Sequence, residues 1–157
     1  MKVLKSILCM VLAIVIASCG DNDNSSPNSV NDNSFYSKIN GSDYNPEFVN
    51  GFITVQGSTI SISGSEANGN NVVINFPISA NAGDSYTVEG LQLVASYDDS
   101  NGDGFISSEG SLTITAHNVE ARKVSGTFNF VGEALLAGGT TYTFTEGSFD
   151  VTYTSLN

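Results

Sequence analysis

The sequence predicts an all-β domain, an antiparallel β-sandwich or flattened barrel of about ten strands, behind one short apolar helix at the N-terminus. Three observations predict it. Apolar residues recur at every second position along most of the chain from Phe35 onward. Clusters of Gly, Asn and Ser punctuate these runs. A convincingly helical stretch occurs only at the start.

In chain order, the strands are expected near 35–39, 51–56, 58–64, 71–78, 85–89, 91–98, 111–117, 122–132, 140–146 and 148–154. Ile60 and Ile62 alternate with Ser and Thr. Val72, Ile74, Phe76 and Ile78 share one parity, and Leu91, Leu93, Ala95 and Tyr97 share another. Leu112, Ile114 and Ala116 alternate with Thr113 and Thr115. Phe128 and Phe130 follow, then Tyr142 and Phe144 between threonines, then Phe149, Val151 and Tyr153. Successive side chains of a strand point to opposite faces, so this pattern describes half-buried antiparallel strands. Turns are expected at Asn40-Gly41, Gln56-Gly57-Ser58, Asn68-Gly69, Gly138-Gly139 and Glu146-Gly147. The outward parities are too polar for a membrane barrel with a lipid-facing band.

The first residues carry a separate signal. Lys2 and Lys5 precede an almost wholly apolar run from Ile7 to Ala17, and Ala17 and Ser18 stand before Cys19. A charged start, an apolar run and small residues at a cleavage point make a secretory signal. The run is too short for a bilayer span, which needs about 20 apolar residues. Ile16-Ala17-Ser18-Cys19 resembles the lipobox of bacterial lipoproteins. That resemblance implies alkylation of the Cys19 thiol by diacylglycerol, cleavage before it, and acylation of the new amine with palmitate-type chains. An ordinary secretory signal with a chance cysteine is the alternative. The expected organisation is a signal peptide over 1–18, a disordered tether over 19–34 and a β domain over 35–157. The tether is Asn, Asp and Ser with one Pro, which offers no core to offset the entropy of folding. Asp21 and Asp23 resemble the acidic patches that direct some Bacteroidota lipoproteins to the outer face of the outer membrane; a generic polar linker reads the same way. The expected location is the outer membrane, lipid-anchored and facing either the periplasm or the surface.

Cleavage would leave 139 of the 157 residues, one domain in size. Cys9 leaves with the signal and Cys19 takes lipid, so the domain has neither a disulfide nor a reactive thiol. The bases kept are Lys38, Arg122 and Lys123 against sixteen Asp and Glu, a formal charge of −13. Such a surface repels nucleic acid and anionic headgroups. Divalent cations are its natural small partners.

A second resemblance covers most of the mature chain. Phe35…Ile39-Asn40-Gly41, Gly110-Ser111-Leu112-Thr113-Ile114-Thr115, Val124-Ser125-Gly126-Thr127-Phe128-Asn129-Phe130 and Glu146-Gly147-Ser148-Phe149-Asp150-Val151 are similar to a family of uncharacterised Bacteroidota lipoproteins with one β domain. Its marks are structural, so it implies fold and location and no activity.

One stretch has the spacing of a site. From Asp99, Asp stands at position 1, Asn101 at 3, Asp103 at 5 and Gly104 at 6, followed by the Phe105 carbonyl at 7. This resembles an EF-hand-type calcium loop, in which alternate oxygens converge on a hard cation and glycine allows a sharp turn. Position 12 is Gly110 rather than Glu, Glu109 falls one residue early, and flanking helices are missing. The expected Ca2+ set is Asp99, Asn101, Asp103, Phe105 and Glu109, with Asp98 an alternative closing ligand. A solvated turn built from Asp, Asn and Gly explains the same residues.

Enzyme chemistry finds little support. His117 is the only histidine, no nucleophile elbow precedes a helix, and zinc would need more His or Cys. For glycans, tyrosines could stack on sugars, but most lie on core parities. Phe35, Tyr36 and Tyr44, near Pro46, are the aromatics least committed to the core. The expected function is a non-catalytic, lipid-anchored accessory or binding module of the envelope, with a glycan or an envelope protein as partner. A carrier with a ligand inside a barrel predicts an internal cavity. An envelope hydrolase predicts an acidic pair, or His117 in a cleft with a second polar group. A subunit of a surface assembly predicts an exposed apolar patch.

Overall fold

The structure is a computed structural model that describes residues 32–54, 57–90, 92–135 and 139–155. The signal segment, Cys19 and the tether up to residue 31 lie outside the described residues. The chain divides into two compact units, and the described residues belong to the second, Asn31–Asn157. That unit is all-β, as expected.

Its strands are β1 (Ser34–Ile39), β2 (Ser42–Tyr44), β3 (Phe48–Ile53), β4 (Thr59–Ser65), β5 (Asn71–Pro77), β6 (Ser85–Thr87), β7 (Val94–Asp98), β8 (Gly104–Asn118), β9 (Lys123–Ala134) and β10 (Thr141–Ser155), with a short 3-10 turn at Val88–Gly90. β3, β4, β5, β7, β8, β9 and β10 pair in sequence, and β10 pairs back to β3. The ladder therefore closes into a ring, the hydrogen-bonding pattern of a barrel. Six of its seven pairings are antiparallel and the closing β10–β3 pair is parallel. An odd ring cannot alternate direction all the way round, so one parallel seam is required. β1 lies on β10 beyond the seam, β2 extends β1, and β6 lies on β8.

The seam is short: Tyr153↔Gly51, Thr154↔Phe52 and Ser155↔Ile53. It closes because residue 51 has no side chain. A Cβ there would sit 2.7 Å from Val151 Cγ1 and 3.0 Å from Tyr153 Cβ, distances that real Cβ atoms avoid. Where the pairing of β10 with β1 stops and its pairing with β3 starts, Asn33 fills the gap. Its Oδ1 accepts from the Thr152 amide at 2.8 Å and its Nδ2 donates to the Val49 carbonyl at 3.2 Å, so the side chain stands in for a peptide group.

The interior is filled with apolar side chains from every strand of the ring except β3, whose Val49 and Ile53 pack against it half-buried. Phe130 and Phe144 stack at 4.0 Å between ring centres, Phe105 meets Tyr142 edge-on at 4.5 Å, and Phe35 meets Phe128 at 5.2 Å. Phe35 and Tyr44 belong to this core and are not free aromatics. Tyr97 is buried there too, and burial pushes its hydroxyl up to about 12. Among the described residues one polar side-chain atom is orphaned: Ser37 Oγ, on β1, is fully buried without a hydrogen-bond partner.

Several strand boundaries differ from expectation. The segments expected at 140–146 and 148–154 are one strand, β10. Glu146-Gly147 is a β-bulge within it, where the register to β9 slips between Phe144 and Gly147. A bulge flips the inward parity, so Phe144 and Phe149 both face the core, and in sequence the flip imitates a turn. β8 begins at Gly104 rather than 111, again with bulges, between Ser107 and Glu109 and between Ile114 and Ala116. β3 lies at Phe48–Ile53 rather than 51–56, and β6 ends at Thr87. β2 was unexpected; Asn40 and Gly41, both with positive φ, turn β1 into it.

Two outcomes follow. Gly51→Ala should cost about 1–3 kcal/mol by overpacking the seam, seen as a lower urea midpoint; an unchanged midpoint would mean the seam is not tight. Ser37→Ala should leave stability unchanged or raise it by about 1 kcal/mol, because it removes a buried hydroxyl that nothing satisfies.

Candidate functional site

The loop between β7 and β8 is built around one carboxylate. Asp99 Oδ1 accepts the backbone N–H groups of Asn101 at 2.8 Å and Asp103 at 3.0 Å. Asn101 Nδ2 donates to Asp99 Oδ2 at 3.2 Å. The Asp99 amide donates to the Asp103 carbonyl and the Gly102 amide to the Asp99 carbonyl, each at 3.0 Å. Outside the loop, Asn70 Oδ1 accepts the Ser100 amide. The Asp103 amide, then the side chain and amide of Asn101, hold the Asp99 carboxyl below its ordinary range, against the opposing effect of burial.

This geometry does not bring the five expected calcium ligands together. Asp99 and Asn101 are turned on each other. Phe105, whose carbonyl is the expected ligand, lies in the ladder between Tyr97 of β7 and Ala134 of β9. Glu109 sits on β8 opposite Val131, five residues beyond Gly104 along an extended strand, or roughly 16 Å. Among the described residues no three His, Cys, Asp or Glu side chains are grouped to hold a metal ion. Asp98 and Asp103 instead border an open cleft of about 410 Å3 with Gly104, Leu135 and Thr140.

His117, near the end of β8, is held on both sides. Its Nδ1 lies 2.6 Å from the Ala80 carbonyl and its Nε2 lies 2.8 Å from the Tyr153 hydroxyl. A carbonyl only accepts, so Nδ1 carries the hydrogen, and in the neutral ring Tyr153 donates to Nε2. The imidazole shares a cleft of about 410 Å3 with Lys123, Ser125 and Asp150. These residues satisfy one another: Ser125 donates to Asp150 Oδ1 at 3.1 Å, and Lys123 lies 3.1 Å from Asp150 Oδ2. Neither imidazole nitrogen is free to take a proton from Ser125.

A different surface emerges on the outer face of β8, β9 and β10. Pairing aligns Ser85, Thr113, Thr127, Ser148 and Tyr36 in one row across β6, β8, β9, β10 and β1. In the next row Ser111 pairs with Asn129. Asn129 lies between two bulges, one on each neighbouring strand, and belongs to two adjoining open clefts of about 340 and 260 Å3. Gly110, at φ 136, floors the smaller one, and a Cβ there would strike the Asn129 carbonyl. Glu146, at the bulge on β10, has φ 53, a left-handed conformation that costs a non-glycine residue energy. Lys38 meets its Oε1 at 2.8 Å. Tyr36 faces outward between the buried Phe35 and Ser37, and its hydroxyl donates to Asp43 Oδ1 at 2.7 Å. That bond to a carboxylate, more than burial, raises its pKa.

Sequence reasoning had the polar parity of these strands but not the face they form. Its signal is the run Ser111, Thr113, Thr127, Asn129 and Ser148 on the alternate positions. Only the register shows that they are neighbours.

Asp99→Ala should lower the melting temperature at neutral pH. A carboxyl whose folded pKa is depressed contributes stability above its unfolded pKa and loses it as pH falls through the folded value. The gap between wild type and variant should therefore close in acid; melting curves that stay parallel down to strongly acidic pH would refute the role given to this carboxylate.

No curated protein and no solved structure matches the chain. The family described as "Domain of unknown function (DUF6252)" matches residues 31–151, which run from just before β1 into the last third of β10. The match takes in the whole ring up to its seam, and the chain belongs to this family.

Proposed function

We propose that this chain is a non-catalytic binding module of the bacterial cell envelope, anchored to the outer membrane through lipid on Cys19. The observation that carries the anchor is Ile16-Ala17-Ser18-Cys19 behind the apolar run from Ile7. Several acyl chains, each contributing roughly 0.8 kcal/mol per buried methylene, hold a protein firmly where one chain is marginal.

The filled core supports binding on the outside of the domain rather than inside it. A carrier needs space at the centre of its barrel, and here rings from non-neighbouring strands meet, Phe76 stacked on Phe149 and Tyr97 edge-on to Phe144. A hydrolase reading is disfavoured by His117, both of whose nitrogens are engaged by Ala80 and Tyr153.

The anchor is tested by feeding a bacterial host an alkyne-bearing fatty acid and recovering the full-length protein. Label on the wild type, none on Cys19→Ser, and accumulation of the precursor when lipoprotein signal peptidase is inhibited are the expected results. An unlabelled, freely released mature protein would make the segment an ordinary secretory signal. Protease added to intact cells reports which side of the membrane the domain faces.

A further inference from the structure

We infer that the outer face of β8–β9–β10 is a binding groove for an uncharged polysaccharide, with Tyr36 as its stacking platform and Asn129 at its centre; this rests on the binding-module reading above.

Three observations point the same way. The first is hydrogen-bonding chemistry. The groove offers hydroxyls from Ser111, Thr113, Thr127 and Ser148 and an amide from Asn129. Hydroxyls both donate and accept, and an amide does each at a separate atom, which matches the mixed donor and acceptor character of sugar hydroxyls. Three of them are engaged once, Asn129 Nδ2 with Ser111 Oγ at 3.3 Å and Thr113 with Ser85 at 3.0 Å, and each keeps further donor or acceptor capacity.

The second is charge. The chain carries −11 overall; on this face Lys38 matches the Glu146 carboxylate, while Glu109 borders the smaller cleft and Asp43 holds the Tyr36 hydroxyl, so the face has no surplus of positive charge. An anionic polymer would be repelled by the rest of the protein, whereas a neutral one would not.

The third is the placement of Tyr36 and Glu146. Every other tyrosine is drawn into or against the core, but Tyr36 is turned outward beside Ser148. Its bond to Asp43 fixes the ring, and a fixed half-exposed ring presents an apolar face to a sugar at little entropic cost. Glu146 occupies a left-handed position that glycine would fill with less strain. Strain kept at the edge of a groove indicates that the carboxylate is used there, within reach of sugar hydroxyls.

The full-length protein, solubilised in a polyoxyethylene detergent that carries no sugar, would be run through native gels containing dextran, mannan, arabinoxylan or mixed-linkage β-glucan. Polygalacturonate serves as the charged control. Retardation by at least one neutral polymer and none by polygalacturonate is expected. Tyr36→Ala should weaken it by about tenfold or more, and Tyr36→Phe should keep most of it. Glu146→Gly separates structure from binding: its melting temperature should hold or rise while retardation falls. No retardation by any neutral polymer, retardation by polygalacturonate alone, or retardation untouched by Tyr36→Ala, Asn129→Ala and Glu146→Gly would each overturn the groove. Retardation without fatty-acid label on Cys19 would leave the groove standing and remove the anchor; label without retardation would do the reverse.

Discussion

The parallel seam between β3 and β10 is the contact on which the rest of the domain depends. A ring of seven strands must carry one parallel pair, and here that pair is three residues long. Little backbone hydrogen bonding holds it, so its strength lies in what surrounds it. Gly51 lets the two strands approach, with Val151 and Tyr153 packed over the missing side chain. Tyr153 is almost wholly buried, and its hydroxyl reaches His117 on β8, two strands away. His117 in turn holds the Ala80 carbonyl, which ties the 78–84 connection to the same end. The lone histidine is thus a clamp on the closure, a structural use that accounts for both of its nitrogens.

The long strands β8, β9 and β10 build the other side of the ring, and a strand of fifteen residues cannot follow a tight barrel without bending. Bulges supply the bend. On β10 the bulge lets Phe144 and Phe149 both turn inward, so the core stays continuous through the kink. On β8 the change between Ser107 and Leu112 does the same. The same two kinks leave the outer surface uneven around Asn129, so the clefts there follow from the curvature of the strands.

What was legible in the sequence was whatever follows from strict alternation. Ile60, Ile62, Val72, Ile74 and Phe76 sit on regular strands, and each is fully buried as its parity requires. Legibility failed where a bulge reset the parity: Glu146-Gly147 looks like a turn because the apolar positions change phase there. It failed again at Asp98–Gly110, where turn-forming residues hide the first half of β8. The calcium spacing is ambiguous for a related reason. Asp, Asn and Gly suit a cation loop and a tight hairpin equally, and the hydrogen bonds of Asp99 order the loop around its carboxylate. Ring closure was not legible at all, since a parallel contact between residues 51 and 153 leaves no local pattern.

Charge is distributed so that this sheet can form in so acidic a chain. β3, β4, β5 and β6 carry no charged residue. The two lysines that lie on strands, Lys38 and Lys123, each neutralise a carboxylate of β10, Glu146 and Asp150. Glu47, Glu66, Asp84, Asp99, Asp103 and Glu120 are in the connections, where water screens them. Exposed ion pairs of this kind add little to stability, about 0–1 kcal/mol each. Their larger effect is on what the sheet can meet. By cancelling charge on β10 they leave its hydroxyl-rich outer row open to the neutral polymer inferred above.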